Sequence, residues 1–494
     1  MKRTARFFAA ALAAAMLFAS VGLLSGCAFS SSSDNVLHVY NWEDYISDED
    51  DAENGYRDLI AAFEQDYKEK TGKTVTVEYS TFGTNENMYN ELKINAAGYD
   101  LVCPSDYMIM KMIAEGMVEE FSEDFLQNGA YSTYVSPYIK ELFDKNGWTN
   151  YAAAYMWGTM GYVYNPDYVD KEDLLSWAGI WSDKYQNKST IKDSVRDSYF
   201  LGVAYVYREE LNSLKAEYEA GAMTQETYNE AVTEIMNRTD EDTIESVKDA
   251  LIDLKKYLYG FEVDSGKQDM ITGKITINFA WSGDAVFAMD EAEESDTYLN
   301  YVIPEECSNI WFDGWVMPKG ANTELAEAFI NFLSEPENAV TNMNYIGYTS
   351  AVAGDAVFNE MLDWYSEGEE GDLDENGDPL VRHDLNYFFK GTGEIEDYSI
   401  WVSEESLDRQ VGAQYPTEEV IERSAVMQYF DDDTNAAVNE MWEEIKGQPI
   451  PLWAYIVIAA VIVIGLLIGL SFLYKGKRSE PKPKKGYRVL KRGE

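Results

Sequence analysis

Between Val36 and Gly116 the chain alternates strand and helix patterns three times, and this alternation limits the possible folds more than any other feature. Val36-Leu37-His38-Val39-Tyr40 reads as a short strand with β-branched residues. Tyr56, Leu59, Ile60, Phe63 and Tyr67 recur at helical spacing, and Gly72 stops that helix. Thr74 to Tyr79 alternates, with Val75, Val77 and Tyr79 on one face. A helix around Asn87 to Ala96 leads to Tyr99-Asp100-Leu101-Val102-Cys103, a buried strand, and a third helix follows Pro104 and runs to Gly116. Strands separated by helices form a parallel sheet with crossovers. Ligands of such sheets sit beyond the carboxyl ends of the strands, which places Trp42 to Tyr45 and Ser105 to Tyr107 at one rim.

The second half repeats the style. Tyr162-Val163-Tyr164 and Ile275 to Ala280 read as strands, with helices over Leu201 to Ala220, Gln225 to Asn237 and Asp242 to Tyr257. The first two helices make a hairpin around Gly221, capped at Thr224. A polar insertion between Glu367 and Gly393 contains Asp372-Leu373-Asp374-Glu375-Asn376-Gly377-Asp378, which imitates the start of a calcium-binding loop. Position twelve is His383, where such a loop needs a bidentate Glu, and an Asn-Gly hairpin turn accounts for the run more cheaply. A body this long predicts two lobes rather than one core.

The two ends carry membrane signals. Lys2, Arg3 and Arg6 precede an apolar stretch closed by Leu24-Ser25-Gly26-Cys27, the order of a secretory signal with a Cys placed for lipidation. Leu452 to Tyr474 is 23 residues without a charge, long enough to span a bilayer. Nine basic residues against Glu480 and Glu494 follow it, so the tail is expected in the cytoplasm and the body outside the cell. The expected organisation is a signal peptide over 1–26, the lipid-anchor Cys27 with a Ser-rich linker over 27–35, and lobe 1 from 36–150 and 306–352. Lobe 2 comes from 151–305 and 353–446, followed by a transmembrane helix over 452–474 and a basic tail over 475–494. With the end segments set aside, 27 basic residues face 86 acidic ones, a net charge near −59. That field repels nucleic acid and draws cations. Two His leave almost no material for a His-based zinc site or a catalytic triad, and Cys103 and Cys307 read as free, partly buried thiols.

The rims combine aromatics with acids. Trp42-Glu43-Asp44-Tyr45, Ser105-Asp106-Tyr107, Trp281-Ser282-Gly283-Asp284 and Trp311-Phe312-Asp313 follow this habit, and Asp193-Ser194-Val195-Arg196-Asp197 adds acids just before Tyr199. Carboxylates between flat apolar walls suit slender alkyl chains bearing ammonium groups. Each ammonium needs a negative partner once its water is stripped. Aromatic faces supply contact for the methylenes and cation–π attraction of ~0.5–2 kcal/mol.

Tyr40-Asn41-Trp42-Glu43-Asp44-Tyr45 and Leu101-Val102-Cys103-Pro104-Ser105-Asp106-Tyr107 resemble the polyamine-binding proteins of spermidine/putrescine ABC transporters. The resemblance continues at Tyr155-Met156-Trp157-Gly158-Thr159, Ser176-Trp177-Ala178-Gly179-Ile180-Trp181, Trp281-Ser282-Gly283-Asp284 and Ile346-Gly347-Tyr348. It implies an α/β, two-lobed, periplasmic-binding-protein-like (type II) clamp with a hinge, here with an added C-terminal transmembrane helix. It also implies site residues: Trp42 and Tyr45 as cleft walls, Asp44 on an ammonium, Ser105 and Tyr107 on the floor. Asp197 stands at a family Glu position that pairs with an amine, Trp281 and Trp311 would stack on methylenes, and Asp313 would take the far charge. Tyr348 and Gln428 would complete the box. Ser194 stands where spermidine-preferring members have Asp. Asp284 resembles the putrescine-preferring members, as does Asp44 in place of a Glu, while Trp311 leans to the spermidine type.

The function so implied is capture of polyamines outside the cell and delivery to an ABC permease with its ATPase, without cofactor, metal or catalysis. Three alternatives share part of the pattern. One is a same-fold binder of ferric iron or another cation, and another is a polyamine-sensing receptor. Least supported is an enzyme such as a glycoside hydrolase built on paired carboxylates and aromatic platforms.

Overall fold

The computed structural model describes residues 35–50, 56–95 and 98–447. The expected signal, Cys27, the 452–474 helix and the basic tail lie outside the described residues. Among the described residues no helix is long and apolar enough to cross a membrane.

The first half is the expected parallel unit. Strand β1 (Val36–Trp42) pairs in parallel with β2 (Thr76–Phe82) on one side and β3 (Leu101–Val102) on the other. Helix Leu59–Thr71 starts at Asp58, whose carboxylate accepts from the Ile60 and Ala61 amides, so Tyr56 falls before the helix. It ends at Gly72, whose φ of 76° is the left-handed turn that favours glycine.

Two long strands then join this unit to a second one. Strand β4 (Ala152–Tyr164) is buried along its whole length, and only its last three residues are legible as a strand in the sequence. From Ala152 to Thr159 it pairs antiparallel with β9 (Ser308–Val316), which in turn meets β3 at Val102–Val316. From Met160 to Tyr164 it pairs with β7 (Ile277–Trp281), while β8 (Asn300–Val302) pairs with Tyr162 to Tyr164. Strands β5 (Ser189–Lys192) and β6 (Gly260–Glu262) complete that half, with β5 parallel to both β7 and β6. One continuous sheet therefore runs through both halves, and β4 and β9 carry the crossing. Strands covered on both faces lose the period-two signal, which explains why β4 is hard to read.

The expected helix over Leu201 to Ala220 is two helices, Val195–Val206 and Arg208–Glu219. The first begins at Ser194, whose hydroxyl caps the Asp197 amide. Its residues Ser198 to Ala204 are all buried, which erases the helical stripe that would have marked its start. The hairpin with Gln225–Met236 forms as expected, with Gly221 at positive φ and Thr224 capping Thr227.

Within 353–446, expected in lobe 2, the contacts divide. Phe388 stacks on Trp157 at 5.3 Å and its carbonyl accepts from the Ser136 hydroxyl, so this tract lies on the first half. Helix Asp432–Lys446 instead lies on the second half, with Trp442 against Phe261 and the Ile445 carbonyl bonded to Lys255. In the acidic run, the Asp374 carboxylate accepts from the Asn376 and Asp378 amides at 2.8 Å, and Gly377 has a φ of 89°. A tight turn accounts for the run. Cys103 and Cys307 are buried and free.

Candidate functional site

The predicted rim residues gather where the strands of both halves end. Trp42 closes β1, Ser105 precedes helix Asp106–Ala114 after β3, and Asp197 lies in the first turn of Val195–Val206 after β5. Trp281 ends β7, and Asp284 lies in the first turn of the following helix Ser282–Glu293. Helix N-termini favour the negative charge of Asp197 and Asp284. Trp311 and Asp313 stand on the crossing strand β9, and Tyr348 follows the left-handed cap at Gly347.

Asp313 is buried, and its surroundings are hydroxyls. The Tyr45 hydroxyl donates to Oδ2 at 2.7 Å, and Ser105 both bridges to Asp313 through the backbone and bonds its carboxylate. Burial raises the Asp313 carboxyl to about 6, the two hydroxyls oppose this, and the Asp197 charge adds to it. Asp197 is also raised by burial, against the Ser194 hydrogen bond, the Lys192 charge, the Trp281 hydrogen bond and the Arg196 charge. Among the described residues no Lys or Arg forms an ion pair with Asp313.

Aromatic rings line the space around these carboxylates. Tyr45 meets Tyr155 edge-on at 5.6 Å and Tyr348 at 5.0 Å, and Trp311 lies 5.8 Å from Tyr348. Two glycines permit this approach. A Cβ on Gly283 would fall 2.3 Å from the Tyr348 ring, and one on Gly158 would fall 2.6 Å from Trp311. The Trp311 indole N–H is held by the Thr159 carbonyl.

Asp284 is arranged differently. Its Oδ2 lies 2.8 Å from Lys192 Nζ, while Oδ1 accepts from the Tyr348 hydroxyl at 2.9 Å and lies 3.5 Å from Lys267 Nζ. Burial pushes its carboxyl up, but these cations outweigh burial and hold it below the ordinary carboxylate range. Lys192 also sits 4.2 Å from the centre of the Trp281 ring. The aromatic–acid pair read from Trp281 and Asp284 thus faces a lysine of the chain itself. Sequence reasoning missed Lys192, because the short strand that it ends, Ser189-Thr190-Ile191-Lys192, has one apolar residue and gives no sign of burial.

Tyr107 shares the Asn85 amide with Ser105, and its hydroxyl donates to Glu86 at 3.2 Å. Arg196, also missed, stacks on the Tyr107 ring at 4.4 Å and on Phe430 at 3.6 Å, spanning the two halves. Three predicted residues stand apart from the Asp313 cluster. Trp42 is half-buried with its ring against Phe82 at 4.6 Å. Asp44 is exposed on a turn with φ 50°, and Gln428 is exposed and joined to Arg196 and Asn237 only through its backbone.

One sheet thus carries acids and aromatics at its strand ends in both halves, the arrangement of a solute-binding fold. Residues 58–357 match the bacterial extracellular solute-binding protein family, and the chain belongs to that family. A spermidine/putrescine-binding periplasmic protein of Salmonella typhimurium is 29% identical over 335 residues, which is 67% of this chain and 82% of that protein. A putrescine-binding periplasmic protein of Pseudomonas aeruginosa is 29% identical over 327 residues, 64% of this chain and 78% of that protein. Among solved structures, the spermidine/putrescine ABC transporter substrate-binding protein PotD of Streptococcus pneumoniae, in complex with calcium and HEPES, superposes with a TM-score of 0.54. It is 27% identical and the match covers 83% of this chain and 98% of that one.

Proposed function

We propose that the protein captures polyamines outside the cell and delivers them to an ABC permease and its ATPase. The observation that carries this reading is Asp313: a buried carboxylate, ringed by Tyr45, Tyr348 and Trp311, that receives hydroxyl donors and no ion pair from the described residues. An alkylammonium supplies the missing positive charge, and its methylenes fit the aromatic walls. The relatives named for spermidine and putrescine support the same class. Binding closes the two halves only so far as the closed form holds the amine better than the open one.

In this reading Tyr45, Ser105, Tyr107, Asp197, Trp281, Trp311 and Tyr348 line the site around Asp313, with Trp42 at its edge. Asp44 and Gln428 reach the ligand only if the cleft rearranges around it. Cys27 carries a lipid, the 452–474 segment spans the membrane, and the body stays outside near its permease at high effective concentration. Equilibrium dialysis of the full-length protein in detergent against radiolabelled putrescine and spermidine tests the function. Saturable binding of at least one, absent with a labelled neutral sugar, is the expected result. Retention of neither amine would refute it. Protease treatment of intact cells tests the topology, with loss of the body and survival of a tail epitope expected.

A further inference from the structure

A cleft of this class takes amines of different length, and Lys192 bears on which. This side chain is 1% exposed at the end of β5. Its ammonium has three donors and three acceptors within reach: Asp284 Oδ2 at 2.8 Å, the Val263 carbonyl at 2.9 Å and Glu262 Oε1 at 3.3 Å. The ring of Trp281 stands 4.2 Å away. A lysine side chain is an alkylamine on a four-carbon stem. Carboxylate, second acceptor and indole face are the surroundings that a ligand ammonium needs, and here they surround an ammonium of the chain.

We propose that Lys192 is a built-in occupant of the Trp281–Asp284 amine subsite, and that it restricts the ligand to a short diamine in preference to a triamine. The inference rests on the polyamine reading. A second ammonium at Asp284 would meet Lys192 on one carboxylate oxygen and Lys267 near the other, so like charges would crowd in a site shielded from water. Moving Lys192 aside would strand a buried ammonium without its partners. Among the described residues Asp313, Asp197 and Asp106 form no ion pair; Asp106 is already taken up by the Tyr107 and Phe312 amides, and Asp313 and Asp197 lie close enough that one charge raises the other. Two such acids match two ammonium groups, and a third ammonium finds its place taken.

The test is competition between putrescine and spermidine on detergent-purified full-length protein, wild type against Lys192→Met. Wild type is expected to bind putrescine at least tenfold more tightly than spermidine. Lys192→Met frees Asp284 and Glu262, and the ratio should move toward spermidine by tenfold or more. Because the variant leaves buried Glu262 without an ion pair and Asp284 with Lys267 alone, Lys192→Met/Glu262→Gln is measured beside it, with thermal unfolding as the check on folding. If neither variant folds, the wild-type ratio decides: equal affinities overturn the inference. A folded variant whose ratio stays within twofold of wild type also overturns it, while leaving polyamine binding intact. Folded wild type that binds neither amine overturns the functional reading, and this inference with it.

Discussion

Replacing Asp313 by Asn should have opposite effects on stability and on binding. Burial raises the Asp313 carboxyl from its ordinary 3.8 to about 6. A shift of about two units corresponds to ~3 kcal/mol between the two protonation states. For an acid whose folded pKa lies above its unfolded one, ionisation lowers stability. That cost is absent below about pH 4, builds as the pH rises toward 6, and is complete above it. Asn keeps an acceptor for Tyr45 and Ser105 but carries no charge, so the unliganded variant escapes much of the cost at pH 7.5. For a body of about 400 ordered residues, the unfolding entropy of ~2.1 cal/mol/K per residue turns ~3 kcal/mol into about 2–4 °C of melting temperature. Binding moves the other way, because losing one partner of a desolvated charge pair costs ~2–5 kcal/mol, about 30-fold in Kd or more. Differential scanning fluorimetry with and without putrescine, at pH 5 and pH 7.5, reads both effects. The variant should melt higher than wild type when unliganded at pH 7.5, less so at pH 5, and should lose the ligand-induced rise. Wild-type affinity should weaken as the pH falls below about 6, since the amine must then displace a proton. A variant that melts lower at pH 7.5 and still binds would refute the placement of an unpaired charge at Asp313.

Other consequences follow from particular contacts. Gly283→Ala puts a methyl into the Tyr348 ring, so it should cost ~1–3 kcal/mol of stability and weaken amine binding at least tenfold, as read by thermal melts and dialysis. Gln428→Ala should leave amine affinity within about twofold, because its bonds to Arg196 and Asn237 are made by the backbone. A tenfold loss on titration would bring the side chain into the site. Burial pushes both the Cys103 and Cys307 thiols up. In a Cys27→Ser background, neither should react with an aromatic disulfide reagent until the protein is unfolded.

The parallel first half was legible because its helices are amphipathic and its strands are separated by punctuating residues such as Gly72 and Pro104. Strand β4 and helix Val195–Val206 were not, since elements buried on every side show no period. The rim acids could be picked out one segment at a time by their aromatic neighbours. Their partners could not: the pairing of Asp284 with Lys192 joins residues 92 positions apart, and that of Tyr45 with Asp313 spans 268. Sequence placed Asp284 and Asp313 in the same class, whereas the fold gives one of them a lysine and the other only hydroxyls. Asp44 and Gln428 show the converse. Their positions follow the resemblance, but a left-handed turn exposes the first and a backbone-only contact leaves the second at the surface.

The most direct test of the account is calorimetric titration of the full-length protein in detergent at pH 7.5 with putrescine and spermidine, with a neutral sugar and ferric citrate as controls. Saturable one-site heat from putrescine, weaker heat from spermidine and none from either control is the expected result. Heat from ferric citrate or the sugar with silence from both amines would contradict it, and would assign the acids and aromatics around Asp313 to a different solute.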